Sequence, residues 1–431
     1  MSNNVRNNMK NVTVFPKVFE TGKKHEIFIS FNGENINAKD VSVKIQPMEN
    51  YGILHTSNYR IDEEQRYPYL PVEEVKLGVY KISYAFFDEQ KYDVKVKVGQ
   101  EVVFNGRIYS VFEDLVGINV FKGDTHLHSN RSDGEGTPFE VGCAYRAKGY
   151  DFIAITDHHK YAPSIEAKQE FEQLTSAFTV FKGEEVHNKD MGYFHIINFD
   201  GDFSINDVVE NKKDYVEEEI NKILKTVKID DDVADKRDCA YRIFVSNEIR
   251  KSNGLSIMAH PYWDCFGEYN MPTKTVEYLL KNNWYDGIEI LAGNDIVGQN
   301  GNNLFISLWS ELKTRGVNVS VLGASDAHST TRPTSVFNKQ YSYVFATSAN
   351  GIKTAIKEGK TVAVLVIDKN NYLIFGEFRL VKYARFLHEE YYSNYVKLAK
   401  AHSKALSEKD GKKIQRIEKQ IRAFREAFFA W

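Results

Sequence analysis

Between about residues 118 and 370 the chain alternates short apolar runs with helix-compatible stretches, and those runs repeatedly end in histidine and aspartate. Val120 to Thr125 leads into His126-Leu127-His128-Ser129, and Tyr150 to Thr156 leads into Asp157-His158-His159. Gly254 to Ala259 ends at His260-Pro261, and Val317 to Ser325 ends at Asp326-Ala327-His328. Such alternation predicts βα units with parallel strands, as an open sheet or a barrel. Polar side chains gathered just beyond the strands favour a barrel, whose C-terminal rim carries the site.

Nine residues with metal-binding side chains stand in order along this region: His126, His128, Asp133, His158, Glu185, His195, His260, Asp326 and His328. Imidazole and carboxylate together suit Zn, Mn or Fe, so the set reads as a multinuclear metal site. In a strand, residues two apart point to the same side, so His126 and His128 can converge on one ion. Asp326 and His328 repeat that spacing. The competing reading is a set of capping and core histidines satisfied by backbone groups; four motifs, each closing an apolar run, weigh against it.

Bulk properties narrow the function classes. A formal charge of −3 gives no overall basic field for nucleic acid. Met1 to Asn8 carries no apolar signal-peptide core, and no run of eighteen apolar residues exists to span a membrane. Cys143, Cys239 and Cys265 are few, scattered and odd in number, which argues against a disulfide framework and for a cytoplasmic protein.

At 431 residues the chain is longer than one core usually supports. Residues 1–117 read as β structure: Val41 to Ile45 and Val94 to Val98 alternate apolar and polar, and Gly78 to Tyr84 is a further strand. Asp88-Glu89-Gln90 has the look of a hairpin connection. A small β-sandwich is expected, either packing on the rest of the chain or binding a ligand such as a glycan. Residues 118–370 form the α/β unit, with helices expected from Pro138 to Lys148 and Ser164 to Ser176. An acidic, helix-compatible insertion at about 202–253 is either a lid or a solvated excursion. Residues 371–431 read as a helical, basic tail. Ile414, Ile417, Ile421, Phe424 and Phe428 form an apolar stripe that packs on the barrel or on a second subunit. Lys412, Lys413, Arg416, Lys419, Arg422 and Arg425 read as a solvated face, with phosphate contact as the alternative.

Asp124-Thr125-His126-Leu127-His128-Ser129, Thr156-Asp157-His158-His159, Ala259-His260-Pro261 and Ser325-Asp326-Ala327-His328 together resemble the four motifs of the polymerase-and-histidinol-phosphatase (PHP) superfamily, over roughly residues 118 to 370. The resemblance implies a distorted seven-stranded α/β barrel binding two or three divalent ions and hydrolysing a phosphoester by metal-bound hydroxide. Gly183-Glu184-Glu185 matches a family G-x-E element, which selects Glu185 over Glu184, and His195 takes the place of the next family histidine. Carried over, one ion takes His126, His128, Glu185 and Asp326. A second shares Glu185 with His195 and His260, and a third takes Asp133, His158 and His328. The Gly123-Asp124-Thr125-His126 opening with Ser132-Asp133-Gly134, and the stretch Ser348 to Ile356, resemble the carbaryl-hydrolase-like branch, which implies a carbamate or carboxylic ester as the alternative substrate.

Asp157 is expected to orient a ligating imidazole. Arg131 and Arg332 follow the first and fourth motifs and either clamp a phosphate or are solvated. His159 and Lys160 are candidates for leaving-group protonation or anion binding, and Tyr262, Asn294 and His187 are possible contacts. Cys143 is expected in the core, and Cys265 is not assigned to metal. The expected substrate is a small phosphate ester or nucleotide, with the carbamate or ester next. A non-enzymatic binding protein stands third.

Overall fold

The computed structural model describes residues 12–49, 67–187, 195–265, 267–293 and 298–431. The chain divides into two compact units. The smaller comprises residues 1–118, 385–394 and 419–431; the larger comprises 119–384 and 395–418. The tail expected as a separate piece is therefore shared between them. It also begins with a strand, Tyr372–Gly376, where helix was expected.

In the smaller unit, Thr13–Phe15, Lys24–Ser30, Val79–Ala85 and Glu73–Lys76 form one sheet. Val18–Glu20, Glu101–Val111, Lys91–Val98, Val41–Pro47 and Leu70–Pro71 form another. The strand Lys91–Val98 shows why it forms: Tyr92, Val94 and Val96 are buried and their neighbours are not, the period-two pattern of a half-buried strand. Side chains of both sheets, Ile27, Ile29 and Ile82 from one and Val43, Val94 and Ile108 from the other, meet in a single apolar cluster. The hairpin expected at Asp88-Glu89-Gln90 is absent. Val79–Ala85 and Lys91–Val98 belong to different sheets, because the chain buries Phe86 at the crossing, its ring stacked 4.6 Å from Phe19 and edge-on to Tyr92 at 5.1 Å. The hairpin lies one connection later, between Val98 and Glu101, where Gly99 takes a positive φ of 60°.

The larger unit is mixed α/β. One sheet runs Thr179–Phe181, Phe152–Ala154, Asn119–Asp124, Gln340–Ala346, Thr361–Val366, Tyr372–Gly376. The other runs Gly183–Val186, Ile196–Phe199, Leu255–Met258, Gly287–Leu291, Ser320–Gly323. The uniformly parallel arrangement expected from the βα rhythm holds only in part. Asn119–Asp124 pairs in parallel with Phe152–Ala154, but Gly183–Val186 with Ile196–Phe199 and Thr361–Val366 with Tyr372–Gly376 are antiparallel. The connection from Val366 to Tyr372 is too short for a crossover, so the chain can only turn back. Helix Pro138–Ala147 starts on a capping box, with Thr137 and Glu140 each satisfying the other's backbone N–H and Pro138 in the first turn. Residues 202–253 hold the helices Ile205–Asn211, Lys213–Thr226 and Lys236–Lys251. Among the described residues no helix is long and apolar enough to cross a membrane.

Candidate metal centre

Most of the predicted donors stand on loops just past strand ends, while Glu185 lies within the strand Gly183–Val186 and His195 just before Ile196–Phe199; backbone hydrogen bonds splice the motif loops together. His128 N donates to Ala327 O and Asp326 N to His126 O, joining the first and fourth motifs. Thr156 N donates to Leu127 O and Glu185 N to Thr156 O, joining the second motif and Glu185 to the first. Asp124 adds a side-chain tie: its Oδ1 accepts from both His126 N and Ser325 N. Asp326 and His159 both have positive φ, 49° and 56°, an uncommon backbone state for residues with side chains that the surrounding loop contacts must hold.

The donor atoms fall into overlapping groups, within each of which they lie inside 4.8 Å of one another: His126, His128, Glu185 and Asp326; Glu185, His195 and His260; His128, Asp133, His158 and His328; and His158, Glu185 and His187. Glu185 is the hinge of the arrangement and is fully buried. Its Oε1 lies 2.6 Å from His195 Nδ1 and 3.5 Å from His260 Nε2. Its Oε2 lies 2.7 Å from His158 Nδ1, 3.3 Å from His126 Nε2, and 3.5 Å from both His128 Nε2 and His187 Nε2. Despite that crowding neither Glu185 oxygen makes a hydrogen bond, and His195 Nδ1 and both ring nitrogens of His260 are buried without one. The short approaches lack hydrogen-bond alignment. Buried polar atoms are nearly always paired, so orphans converging on one another call for a shared partner. Ligands about 2.0–2.1 Å from a tetrahedral ion sit roughly 3.3 Å apart, near the 3.3–3.5 Å approaches of His126, His128, His187 and His260 to Glu185, while His195 and His158 stand closer. The residues fit divalent cations.

Electrostatics point the same way. For Glu185, burial favours protonation, but the charges of His195, His126 and His158 outweigh it and hold the carboxyl well below its ordinary range. Burial disfavours charge on His126, yet Glu289, Asp326 and Glu185 raise it well above the ordinary histidine value. His128 and His195 are pushed down to about 3, chiefly by burial. Titration perturbed by burial together with close charged partners clusters at functional sites.

The other predicted residues are placed differently. The Asp157 carboxylate accepts from Ser129 N at 2.8 Å, Ser129 Oγ at 2.6 Å and Ser132 Oγ at 2.6 Å. It therefore holds the first-motif loop rather than an imidazole, and reaches His128 only through Ser132 Oγ, 3.5 Å from His128 Nδ1. The guanidinium forks of Arg131 and Arg332 are engaged by carboxylates: Arg131 by Glu166 at 3.1 and 2.7 Å, Arg332 by Glu135 at 2.7 and 2.5 Å. Lys160 Nζ donates to Arg131 O. His159 lies outside the donor groups, its ring 4.7 Å from that of His187 and its Nδ1 3.5 Å from Glu210. Tyr262 is buried with its hydroxyl on Thr273. Cys143 is buried, and Asn294 and the Cys265 side chain lie outside the described residues.

Two participants escape the motif reading. His187, expected only as a contact, follows Glu185 at strand spacing, its Nε2 2.6 Å from His158 Nδ1. Glu289 is fully buried and its carboxylate meets His126 Nδ1 at 3.0 and 3.3 Å. Its one trace in the sequence is a lone acid inside the apolar run Gly287-Ile288-Glu289-Ile290-Leu291.

No family model matches the chain. Over 63 residues, 15% of its length, it is 43% identical to the DNA polymerase/3'-5' exonuclease PolX of Bacillus subtilis, and the match spans 10% of that protein. Among solved structures it is similar to a two-domain protein of Bacteroides vulgatus containing a predicted PHP-like metal-dependent phosphoesterase, with 22% identity, TM-score 0.39, and 58% of this chain and 66% of that one covered. It is also similar to an amidohydrolase of Chromobacterium violaceum, with 19% identity, TM-score 0.33, and 48% and 87% covered. In its four ordered motifs the chain resembles the PHP superfamily of metal-dependent phosphoesterases.

Proposed function

We propose that this chain is a metal-dependent hydrolase of the PHP superfamily, with a distorted seven-stranded barrel in the larger unit and a β-sandwich in the smaller. The reaction proposed is hydrolysis of a small phosphate ester or nucleotide. The observation that carries the reading is the Glu185 carboxylate, buried, without hydrogen bonds, and ringed by six imidazole nitrogens within 3.5 Å. His126, His128, Glu185 and Asp326 would hold one divalent ion, Glu185, His195 and His260 a second, and Asp133, His158 and His328 a third; Zn, Mn and Fe all suit these donors. Bound ions supply Lewis acidity toward a phosphoryl or carbonyl oxygen and lower the pKa of water.

The chain's own residues do the rest. Asp124 and Asp157 fix the loops that present His126, His128 and Asp326. His159, beside the donor groups and about one-quarter exposed at its side chain, is placed to pass a proton to a departing oxygen. Trp263 stands 5.6 Å from the His260 ring and 5.8 Å from the His195 ring, an apolar wall for the organic part of a substrate.

A carbamate or carboxylic ester is the second reading. It is favoured by the engagement of Arg131 and Arg332 with Glu166 and Glu135, which occupies both guanidinium forks within the protein. Naphthol release from naphthyl phosphate, naphthyl acetate and naphthyl methylcarbamate by Mn-loaded protein separates the two, because the leaving group is shared. The phosphate is expected to be fastest. A dominant acetate or carbamate rate overturns the phosphoesterase reading, and no release from any of the three after metal loading argues against this hydrolase assignment.

A further inference from the structure

Burying a carboxylate inside a strand is unfavourable unless it is paired. Every residue of Gly287–Leu291 is buried, and Glu289 is its sole acid. The pairing with Ser320–Gly323 slips register between Glu289 and Leu291, an irregularity of the kind that re-aims a side chain beside a site. The Glu289 carboxylate meets His126 Nδ1 with both oxygens, at 3.0 and 3.3 Å. The opposite ring nitrogen, His126 Nε2, faces the donor group: 3.2 Å from His128 Nε2, 3.2 Å from Asp326 Oδ1 and 3.3 Å from Glu185 Oε2. The imidazole thus spans the gap between a buried carboxylate and the candidate cation position.

We propose that Glu289 is a positioning residue that holds His126 in the Nδ1–H form and so keeps the His126 Nε2 lone pair aimed at a divalent cation. An ionised carboxylate only accepts, so the proton of the imidazole must sit on the nitrogen facing it. A hydrogen-bonded carboxylate behind a ligating imidazole also strengthens the nitrogen in front, and losing such a partner commonly weakens metal binding 10–100-fold. This inference rests on the metal-dependent reading given above and adds to it a residue that touches neither the cation nor the substrate.

The test measures Zn²⁺ affinity of the full chain by competition with a chromophoric chelator, for wild type, Glu289→Gln, Glu289→Ala, His126→Ala and the double variant His126→Ala/Glu289→Gln. Zn²⁺-loaded protein labelled with ¹⁵N-histidine reports directly which nitrogen of His126 carries the proton. Expected are an Nδ1–H imidazole in wild type, Zn²⁺ binding weakened about 10–100-fold in Glu289→Ala, a smaller loss in Glu289→Gln, and no further loss from Glu289→Gln once His126 is alanine. If Glu289→Ala does not fold, Glu289→Gln, which conserves volume, decides the matter alone. Wild type that binds Zn²⁺ while the Glu289 variants bind it equally well, or an Nε2–H tautomer in wild type, overturns the positioning role and leaves the metal reading standing. Wild type that binds no Zn²⁺ overturns both.

Discussion

Arg146 donates from Nε to His402 Nδ1 at 3.0 Å, and both side chains are fully buried. The imidazole must therefore be neutral with its proton on Nε2, where Thr175 Oγ1 lies at 3.2 Å. Protonating Nδ1 would remove the acceptor and set a second cation against the guanidinium. Burial first, and the Arg146 charge second, push the His402 pKa down to about 3. The unfolded chain takes up that proton near 6.5. Between those values the unfolded state holds more protons than the folded one, so acid destabilises the fold. This one group should contribute a loss of about 1.4 kcal/mol for each pH unit below 6.5. His402→Asn keeps an acceptor for Arg146 and removes the titration. Urea midpoints at pH 7.5, 6 and 5 should fall less steeply in the variant; equal slopes would rule the mechanism out.

Glu184 and Glu185 are neighbours with opposite jobs. The Glu184 carboxylate accepts from Asn198 Nδ2 at 2.9 Å, Ser204 Oγ at 2.8 Å, Ile205 N at 2.5 Å and Asn206 Nδ2 at 2.9 Å, tying its strand to the first turn of Ile205–Asn211. Glu184→Ala strands those donors and should lower stability by about 3 kcal/mol or more even without metal. Under the metal reading, Mn²⁺ at about 100 times its dissociation constant stabilises wild type by roughly 2.7 kcal/mol. Glu185→Gln should abolish that gain. Thermal melts with chelator and with Mn²⁺ check both, and a Glu185→Gln protein that still melts higher with Mn²⁺ would falsify the shared-ligand role.

Arg131 and Arg332 sit in exposed ion pairs, which contribute at most about 1 kcal/mol. Alanine at either position should leave the denaturant midpoint nearly unchanged and alter kcat/KM for a small phosphate ester less than about 10-fold. A drop of 100-fold or more would mean that the forks leave Glu166 and Glu135 when substrate arrives.

Gly323 marks a close approach between the two sheets of the larger unit. Its N–H donates to Ser342 Oγ at 3.0 Å, and a Cβ added there would stand 2.4 Å from Tyr341 O and 3.0 Å from Tyr341 C. Backbone cannot yield as a side chain does. Gly323→Ala should therefore destabilise the fold by about 1–3 kcal/mol and, three residues upstream of Asp326, weaken cation binding. Chemical denaturation and a chelator competition on the same preparation would show whether the two effects travel together.

What the sequence discloses depends on whether a residue's task leaves a local pattern. His126 and His128 announce themselves because strand geometry requires a spacing of two, and helix Pro138–Ala147 because a proline opens it, where the missing N–H costs nothing. Glu289 acts across 163 positions of sequence, so nothing beside it signals its partner. Asp157 shows a related effect: its neighbours in sequence are an imidazole pair, but its hydrogen-bond partners in space are Ser129 and Ser132. The antiparallel returns of the larger unit, and the sheet change at Phe86, were hidden because alternation reports which faces are buried and not which strand lies alongside.

The backbone splice between His126 and Asp326, and between His128 and Ala327, carries a temporal consequence. Two halves of one donor group are made some two hundred residues apart, so a ribosome must finish the stretch to Asp326 before that group exists. The Glu185, His195 and His260 group needs nothing beyond residue 260, so it can be assembled earlier. Cation uptake by the group that contains Asp326 would then be the later event, and a signal from it would count chains complete through Asp326 rather than shorter nascent ones.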